Sequence, residues 1–194
     1  QGDLTASKGK SVARWRVDAE QAASLQPRMV LIGDPGSGKS SFARHLALCL
    51  AGEALRRSGD TATAGKAGVA QVTGWLAAPE LTPIYIELRS LVDDFPPLPE
   101  EMATPATMPS LSAHFWPYVK EKVLDLRLAA FETELATLCL EGKTILFLDG
   151  LDEVSQADID DRRLQLQRLI QELTDTYPAM RIVVGMSGGV DSSV

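Results

Sequence analysis

A glycine-rich segment early in the chain has the residue types and spacing of a phosphate-binding loop. Residues 33–40 read GDPGSGKS and fit the pattern G-x-x-x-x-G-K-[ST]. Gly33, Gly36 and Gly38 allow a tight turn that aims backbone N–H groups inward, and the amino end of a following helix adds partial positive charge. The pattern therefore predicts that this segment binds the phosphates of a nucleoside triphosphate.

The other residues of the loop have separate predicted roles. Lys39 is expected to reach the β- and γ-phosphates, and the Ser40 hydroxyl is expected to ligate Mg²⁺. The predicted nucleotide-binding set is Gly33, Asp34, Pro35, Gly36, Ser37, Gly38, Lys39, Ser40 and Ser41. The alternative is a glycine-rich turn that only closes a β–α corner.

A second candidate site is the acid that ends the apolar run Thr144–Asp149. Continuous apolar β-formers are typical of a central parallel strand that is buried on both faces. The carboxylate then lies at the carboxyl end of the strand, where α/β sheets bind ligands. Asp149 is predicted to hold Mg²⁺ opposite Ser40, usually through water.

Two further acids follow Asp149 after a short turn that Gly150 keeps small. Asp152 or Glu153 is the predicted catalytic residue, which orients or deprotonates the water that attacks the γ-phosphate. The alternative is an exposed turn with a helix N-cap.

Strands and helices must alternate to bring these residues together. Met29–Ile32 and Thr144–Asp149 are predicted strands, and Pro83–Leu88 is a third because it alternates and carries β-formers. The run Phe42–Leu50 is predicted to be helical, as are two stripes at helical spacing, Leu124/Leu128/Phe131/Leu135/Leu138 and Leu166/Leu169/Ile170/Leu173/Tyr177. Gly142 is expected at the C′ position of the first stripe's helix. Residues 56–74 and 95–109 are predicted loops. The predicted fold is a three-layer α/β/α core with a mainly parallel sheet.

Composition limits the classes of function. The 194 residues are 45% hydrophobic and 23% charged, which permits one substantial core. The net charge of −7 argues against a direct nucleic-acid partner. Cys49 and Cys139 lie in apolar helical patterns and are expected to be buried, reduced thiols, which favours the cytoplasm. No run has the length of a membrane span, and the two histidines are isolated from each other.

Three segments, in order and spacing, resemble the NACHT subgroup of STAND-type P-loop NTPases, particularly its bacterial members. They are residues 31–52, 81–91 and 143–154, within a similarity that covers about residues 17–184, and LFLDGLDE is the most specific signal. The resemblance implies a nucleotide-operated switch that oligomerises when a sensor region is triggered, with Lys39 in the Walker A motif and Asp149 in Walker B. It further implies ATP or ADP with Mg²⁺, self-association through the NTPase domain, effector and sensor regions outside this chain, and antiviral defence.

The end of the chain departs from that family. Members follow the strand matching Arg181–Val184 with a polar residue and an arginine, whereas this chain reads GMSGGVDSSV. From Met180 the sequence resembles the PP-loop of ATP pyrophosphatases and the amino-terminal end of a tRNA 2-thiouridylase. Three origins stay open: a natural variant loop, a join between unrelated coding segments, which we favour, or the start of a second enzyme. The expected organisation is a flanking segment at 1–27, an NTPase domain at 28–185 that lacks its carboxyl-terminal part, and a PP-loop-like tail at 186–194.

Three functions are compatible with these residues. The first is a regulatory ATPase in which slow hydrolysis resets a switch. The second is an assembly module that ATP or ADP stabilises without significant turnover. The third, which depends on the tail, is ATP-dependent tRNA thiolation, with AMP and pyrophosphate as the nucleotide products.

Overall fold

Four strands form one parallel sheet in the computed structural model, which describes residues 18–68, 72, 75, 80–95, 110–123, 131–150 and 159–187. The strands are β1 (Arg28–Gly33), β2 (Thr82–Glu87), β3 (Thr144–Asp149) and β4 (Arg181–Ser187). Their order across the sheet is β1-β4-β3-β2, and each neighbouring pair is parallel. The strand that leads into the glycine loop is therefore separated from the strand of Asp149 by β4.

Helices cover both faces of this sheet. They are α1 (Ala19–Leu25), α2 (Lys39–Arg57), α3 (Thr61–Ala64), α4 (Leu88–Asp93), α5 (Ser112–Tyr118), α6 (Glu132–Leu140) and α7 (Ile159–Thr176), with a π-helical turn at Val119–Val123. None of the helices within the described ranges is both long enough and apolar enough to cross a membrane.

Alternate residues of the strands belong to two separate cores. On one face, Ile145 and Phe147 of β3 pack with Leu46 and Leu50 of α2. The opposite face of β3 presents Leu146 and Leu148 to a core formed mainly by α4, α5, α6 and α7. Because β3 is covered on both sides, all of its residues are buried, as its continuous apolar sequence predicts. The three-layer α/β/α fold is confirmed.

The predicted amphipathic stripes lie mostly in the core where the structure describes them. Leu166, Leu169, Leu173 and Tyr177 are buried in the second core, and Ile170 packs against it. In the other stripe Leu135 is buried and Phe131 packs nearby, but Leu138 is only partly buried and Cys139 takes the core position instead; residues 124 and 128 lie outside the described residues. Cys49 and Cys139 are buried free thiols, as expected.

Helix α6, which precedes β3, is followed by Gly142 at the C′ position, as predicted. Gly142 has φ 70°, and its N–H donates to the carbonyl of Cys139 at 3.2 Å. The N–H of Lys143 donates to the carbonyl of Leu138 at 2.9 Å. These two bonds form a Schellman motif, which turns the chain directly into β3 and so fixes where the strand of Asp149 begins.

Two predicted boundaries were wrong. The loop predicted from residue 56 starts later, because α2 continues through Arg57, where Glu53 forms ion pairs with Arg56 and Arg57 one turn away. The short helix α3 also interrupts this predicted loop, because the Asp60 carboxylate caps it by accepting from the Thr63 N–H at 3.0 Å. The predicted strand Pro83–Leu88 ends at Glu87, because Leu88 begins α4. Leu88 is buried together with residues 91 and 92, at helical spacing, so tertiary packing decides its conformation.

Candidate functional site

The glycine loop connects β1 directly to the longest helix among the described residues. Strand β1 ends at Gly33 and α2 begins at Lys39, with 19 residues in the helix. Gly36 and Gly38 have φ 78° and 91°, which residues with a side chain adopt at a cost. Gly38 is the N-cap and no side chain caps the helix, so the first-turn N–H groups of α2 lack intrahelical acceptors and face the loop. This geometry suits an anion.

The ammonium group of Lys39 lies over the same loop. It donates to the carbonyl of Gly33 at 2.8 Å and to the carbonyl of Asp34 at 3.0 Å, with the hydroxyl of Ser37 at 3.5 Å. The Lys39 side chain thus folds back along the turn and places its positive charge beside the helix amino end. A phosphate group there would meet a cation and backbone donors together.

A cleft of about 250 Å³ opens beside the loop. Its described lining consists of Pro35, Gly36, Gly38, Lys39, Ser40, Ser41 and Gly150. Small-molecule pockets usually have volumes of about 300–1,000 Å³, so the volume of this cleft lies just below that range. Six residues of the predicted loop line the cleft, and the carbonyls of Gly33 and Asp34 hold the lysine instead.

Ser40, which lines this cleft, contacts Asp149 although 109 positions separate them in the chain. The Ser40 hydroxyl donates to Oδ1 of Asp149 at 2.9 Å, and Asp149 is only 5% exposed. Because the serine proton points at the carboxylate, the serine lone pairs remain for a cation. A hydroxyl beside a carboxylate is an oxygen donor set of the kind that Mg²⁺ prefers. The residues present therefore fit the predicted Mg²⁺ site.

The second oxygen of Asp149 has a partner that sequence reasoning missed. The Tyr85 hydroxyl, from β2, donates to Oδ2 at 2.5 Å, and Arg44 donates through Nε to the Tyr85 oxygen at 3.0 Å. Arg44 also forms an ion pair with Glu87 at 2.9 Å. Two sequence spacings are consistent with this cluster. Arg44 lies one helical turn after Ser40, and Tyr85 lies two residues before Glu87, on the same face of the strand.

Burial and these hydrogen bonds change the acidity of the cluster. Burial, followed by the hydrogen bond with Asp149, raises the pKa of Tyr85 to about 12. The hydrogen bond and charge interaction with Tyr85 raise the pKa of Arg44 above its ordinary value. At neutral pH Tyr85 is therefore a neutral donor and Arg44 a cation.

A glycine in β4 leaves room for the Asp149 carboxylate. A Cβ atom at Gly185 would lie 3.0 Å from Oδ1 of Asp149, closer than most such contacts. Gly185 is in the segment that resembles a PP-loop, and its strand continues through Met186 and Ser187, which pair with Ile32 and Gly33. The divergent segment thus completes the sheet beside the candidate site.

The two predicted catalytic acids lie outside the described residues, as does the tail beyond Ser187. Asp152 and Glu153 therefore stay predictions from sequence. Gly150, which precedes them, lines the cleft. Comparisons with protein-family models, with curated proteins and with solved structures gave no match.

Replacing Asp149 by asparagine is expected to stabilise the metal-free protein slightly. In the described part of the chain no cationic side chain forms a salt bridge with Asp149, so its buried charge is held by hydroxyl groups alone. A neutral amide of the same shape removes the desolvation cost of that charge and keeps one acceptor. We expect a gain of about 1 kcal/mol in the free energy of unfolding, or about 2–4 °C in Tm. Thermal unfolding without added metal measures this change in Tm. A Tm lowered by several degrees would contradict the expectation that the Asp149 charge is destabilising when no cation is bound.

Proposed function

We propose that this chain is the Mg²⁺-dependent, ATP-binding and ATP-hydrolysing regulatory domain of a NACHT-type switch protein. The observation that carries the proposal is the hydrogen bond between Ser40 and Asp149 at the mouth of the glycine loop. A glycine turn that only closed a β–α corner would not need a buried carboxylate from a distant strand at its serine. Polyphosphate binding with a cation gives both residues a use.

In this proposal the loop binds and orients the phosphates. The N–H groups at the start of α2 and the ammonium of Lys39 contact the β- and γ-phosphates, so Lys39 exchanges its carbonyl partners for phosphate oxygens. Ser40 and Asp149 would hold Mg²⁺. When bound, the ion neutralises charge that builds on the phosphate oxygens.

The attacking water is the part of the mechanism assigned to the acids after Gly150. Asp152 or Glu153 would accept its proton while the water oxygen bonds to the γ-phosphorus. The bond to the bridging oxygen breaks, and ADP and inorganic phosphate leave. Because only ATP has the γ-phosphate, its contacts can stabilise one domain arrangement over another.

The remaining features of the proposal depend on the family resemblance. These are the preference for adenine, self-association through the NTPase domain, and a signalling role in antiviral defence through regions outside this chain. The cytoplasmic location is inferred instead from the two free thiols, Cys49 and Cys139. Fold alone does not imply such roles.

Calorimetry and product analysis of the purified protein test the proposal. We expect ATP to bind in the presence of Mg²⁺ and to bind more weakly with EDTA, and we expect ADP and phosphate as products. Tight binding without turnover would support the assembly module instead. AMP and pyrophosphate would support the thiolation alternative, and folded protein that is indifferent to magnesium nucleotides would overturn the proposal.

A further inference from the structure

Tyr85 donates a hydrogen bond to Asp149 but has no role in the mechanism proposed above. Ser40 and Tyr85 each donate to a different oxygen of this carboxylate, and they come from different elements, α2 and β2. One donor alone leaves a carboxylate free to turn about its Cβ–Cγ bond. Two donors on opposite oxygens fix that rotation.

The direction of the Tyr85 hydrogen bond is set by its neighbour. An arginine side chain can only donate, so the Tyr85 oxygen accepts from Arg44 and the single phenolic proton is left for Asp149. Tyr85 is thus a committed donor to Oδ2.

Arg44 is itself held from two sides. Its guanidinium forms an ion pair with Glu87 and lies 5.6 Å from the centroid of the Tyr85 ring. The Arg44 and Glu87 side chains are each 60% exposed, so the ion pair on its own stabilises little. Its geometric effect is to keep Nε directed at the Tyr85 oxygen.

We propose that Tyr85 is a positioning residue for the metal carboxylate, oriented in turn by Arg44 and Glu87. By holding Oδ2, Tyr85 keeps Oδ1 aligned with Ser40, which lines the cleft. The proposal rests on the function proposed above, because it assumes that Asp149 serves Mg²⁺. It assigns a role to residues from β2 and from the second turn of α2, outside the glycine loop and the acidic motif.

Replacing Tyr85 by phenylalanine tests this role through metal dependence. We expect the Mg²⁺ concentration needed for half-maximal ATP binding to rise about tenfold, as for the loss of one charge-assisted hydrogen bond. Binding of ATP in EDTA should change less than about twofold, because the loop and Lys39 are untouched. Fluorescent ATP titrations at fixed nucleotide and varied Mg²⁺ separate the two quantities.

Two companion variants make the result interpretable. Tyr177→Phe is the matched control, since Tyr177 is largely buried against Trp116 and away from the cleft, and its Mg²⁺ requirement should equal that of the wild type. Arg44→Met removes the donors that orient Tyr85 but keeps an aliphatic chain at an exposed site. It should fold normally and raise the Mg²⁺ requirement about threefold, less than Tyr85→Phe does.

The outcomes distinguish this inference from the proposed function. If the wild type shows no Mg²⁺-dependent ATP binding, the proposed function fails and the inference falls with it. If the wild type shows that dependence and Tyr85→Phe behaves like Tyr177→Phe, the inference alone is overturned. An equal loss of ATP affinity with and without Mg²⁺ would also overturn it, because that result indicates a general structural role.

Discussion

Replacing Lys39 by alanine is expected to lower the affinity for Mg-ATP by a factor of about 10²–10⁴. A hydrogen bond from an ammonium to a charged acceptor contributes about 1.5–3 kcal/mol, and Lys39 is expected to contact two phosphate groups. The Lys39 ammonium already lies over the loop, held by two carbonyls within 3.0 Å, so little reorganisation precedes phosphate contact. Calorimetry or equilibrium dialysis with labelled ATP measures the change.

The stability of the same variant should change little. The bond from Lys39 to the Asp34 carbonyl is exposed and the bond to the Gly33 carbonyl is partly buried, and water can replace the ammonium at both, so we expect a loss below about 1 kcal/mol in the free energy of unfolding. Lys143→Ala is a suitable control, because it removes the same charge from a surface position whose ion pair is with Glu141. Unchanged ATP affinity in Lys39→Ala would show that the glycine loop is a structural turn.

The two ends of the candidate site could be predicted from sequence because each has a strong local pattern. Apolar residues followed by spaced glycines, lysine and serine indicate a strand, a loop and a helix, and the structure has β1, the loop and α2 in that order. The apolar run that ends at Asp149 indicates a buried strand, and β3 is buried throughout. Both patterns depend on neighbouring residues alone.

The contacts across the sheet could not be predicted in the same way. Tyr85 alternates with Ile84 and Ile86 and has the pattern of an ordinary strand residue, and Arg44 has the pattern of a helix surface. Their meeting with Asp149 depends on the strand order, which places β3 beside β2, and on a register that pairs Glu87 with Asp149. Local periodicity contains neither quantity, because both are set by long-range packing.

The pairing of β4 near the end of the chain also differs from what the sequence predicts. From Met180 the sequence resembles the PP-loop of a different family, and the predicted NTPase domain ends at residue 185, yet β4 pairs with β1 through Ser187. A parallel neighbour needs only a β-compatible backbone, which residues 181–187 provide, so β4 continues across that predicted boundary. The residue of this segment that lies beside Asp149 is Gly185, and because it has no side chain it leaves space for the carboxylate.

Replacing Glu153 by glutamine is expected to slow hydrolysis strongly and to preserve binding. Glutamine keeps the size and hydrogen-bonding shape of the side chain but cannot take a proton from water, so the rate should fall by a factor of about 10²–10⁴. The Mg-ATP affinity should stay within about threefold of the wild type, because the groups expected to bind phosphate and metal are Lys39, Ser40 and Asp149. Single-turnover assays with labelled ATP, together with calorimetry, measure the two quantities separately.

Asp152→Asn is the matched variant that assigns the role between the two acids. Gly150 follows Asp149, the proposed metal ligand, and lines the cleft; both acids follow within three positions in the sequence, so each is assigned by its effect on hydrolysis. We expect Asp152→Asn to retain most of the hydrolysis if Glu153 is the base; a loss confined to Asp152→Asn would move the role to that residue.

If the wild type and Glu153→Gln hydrolyse ATP equally and negligibly while both bind it, the nucleotide acts as a structural ligand. The domain is then an assembly module rather than an ATPase, because a switch that hydrolysis resets requires the rates of the two proteins to differ.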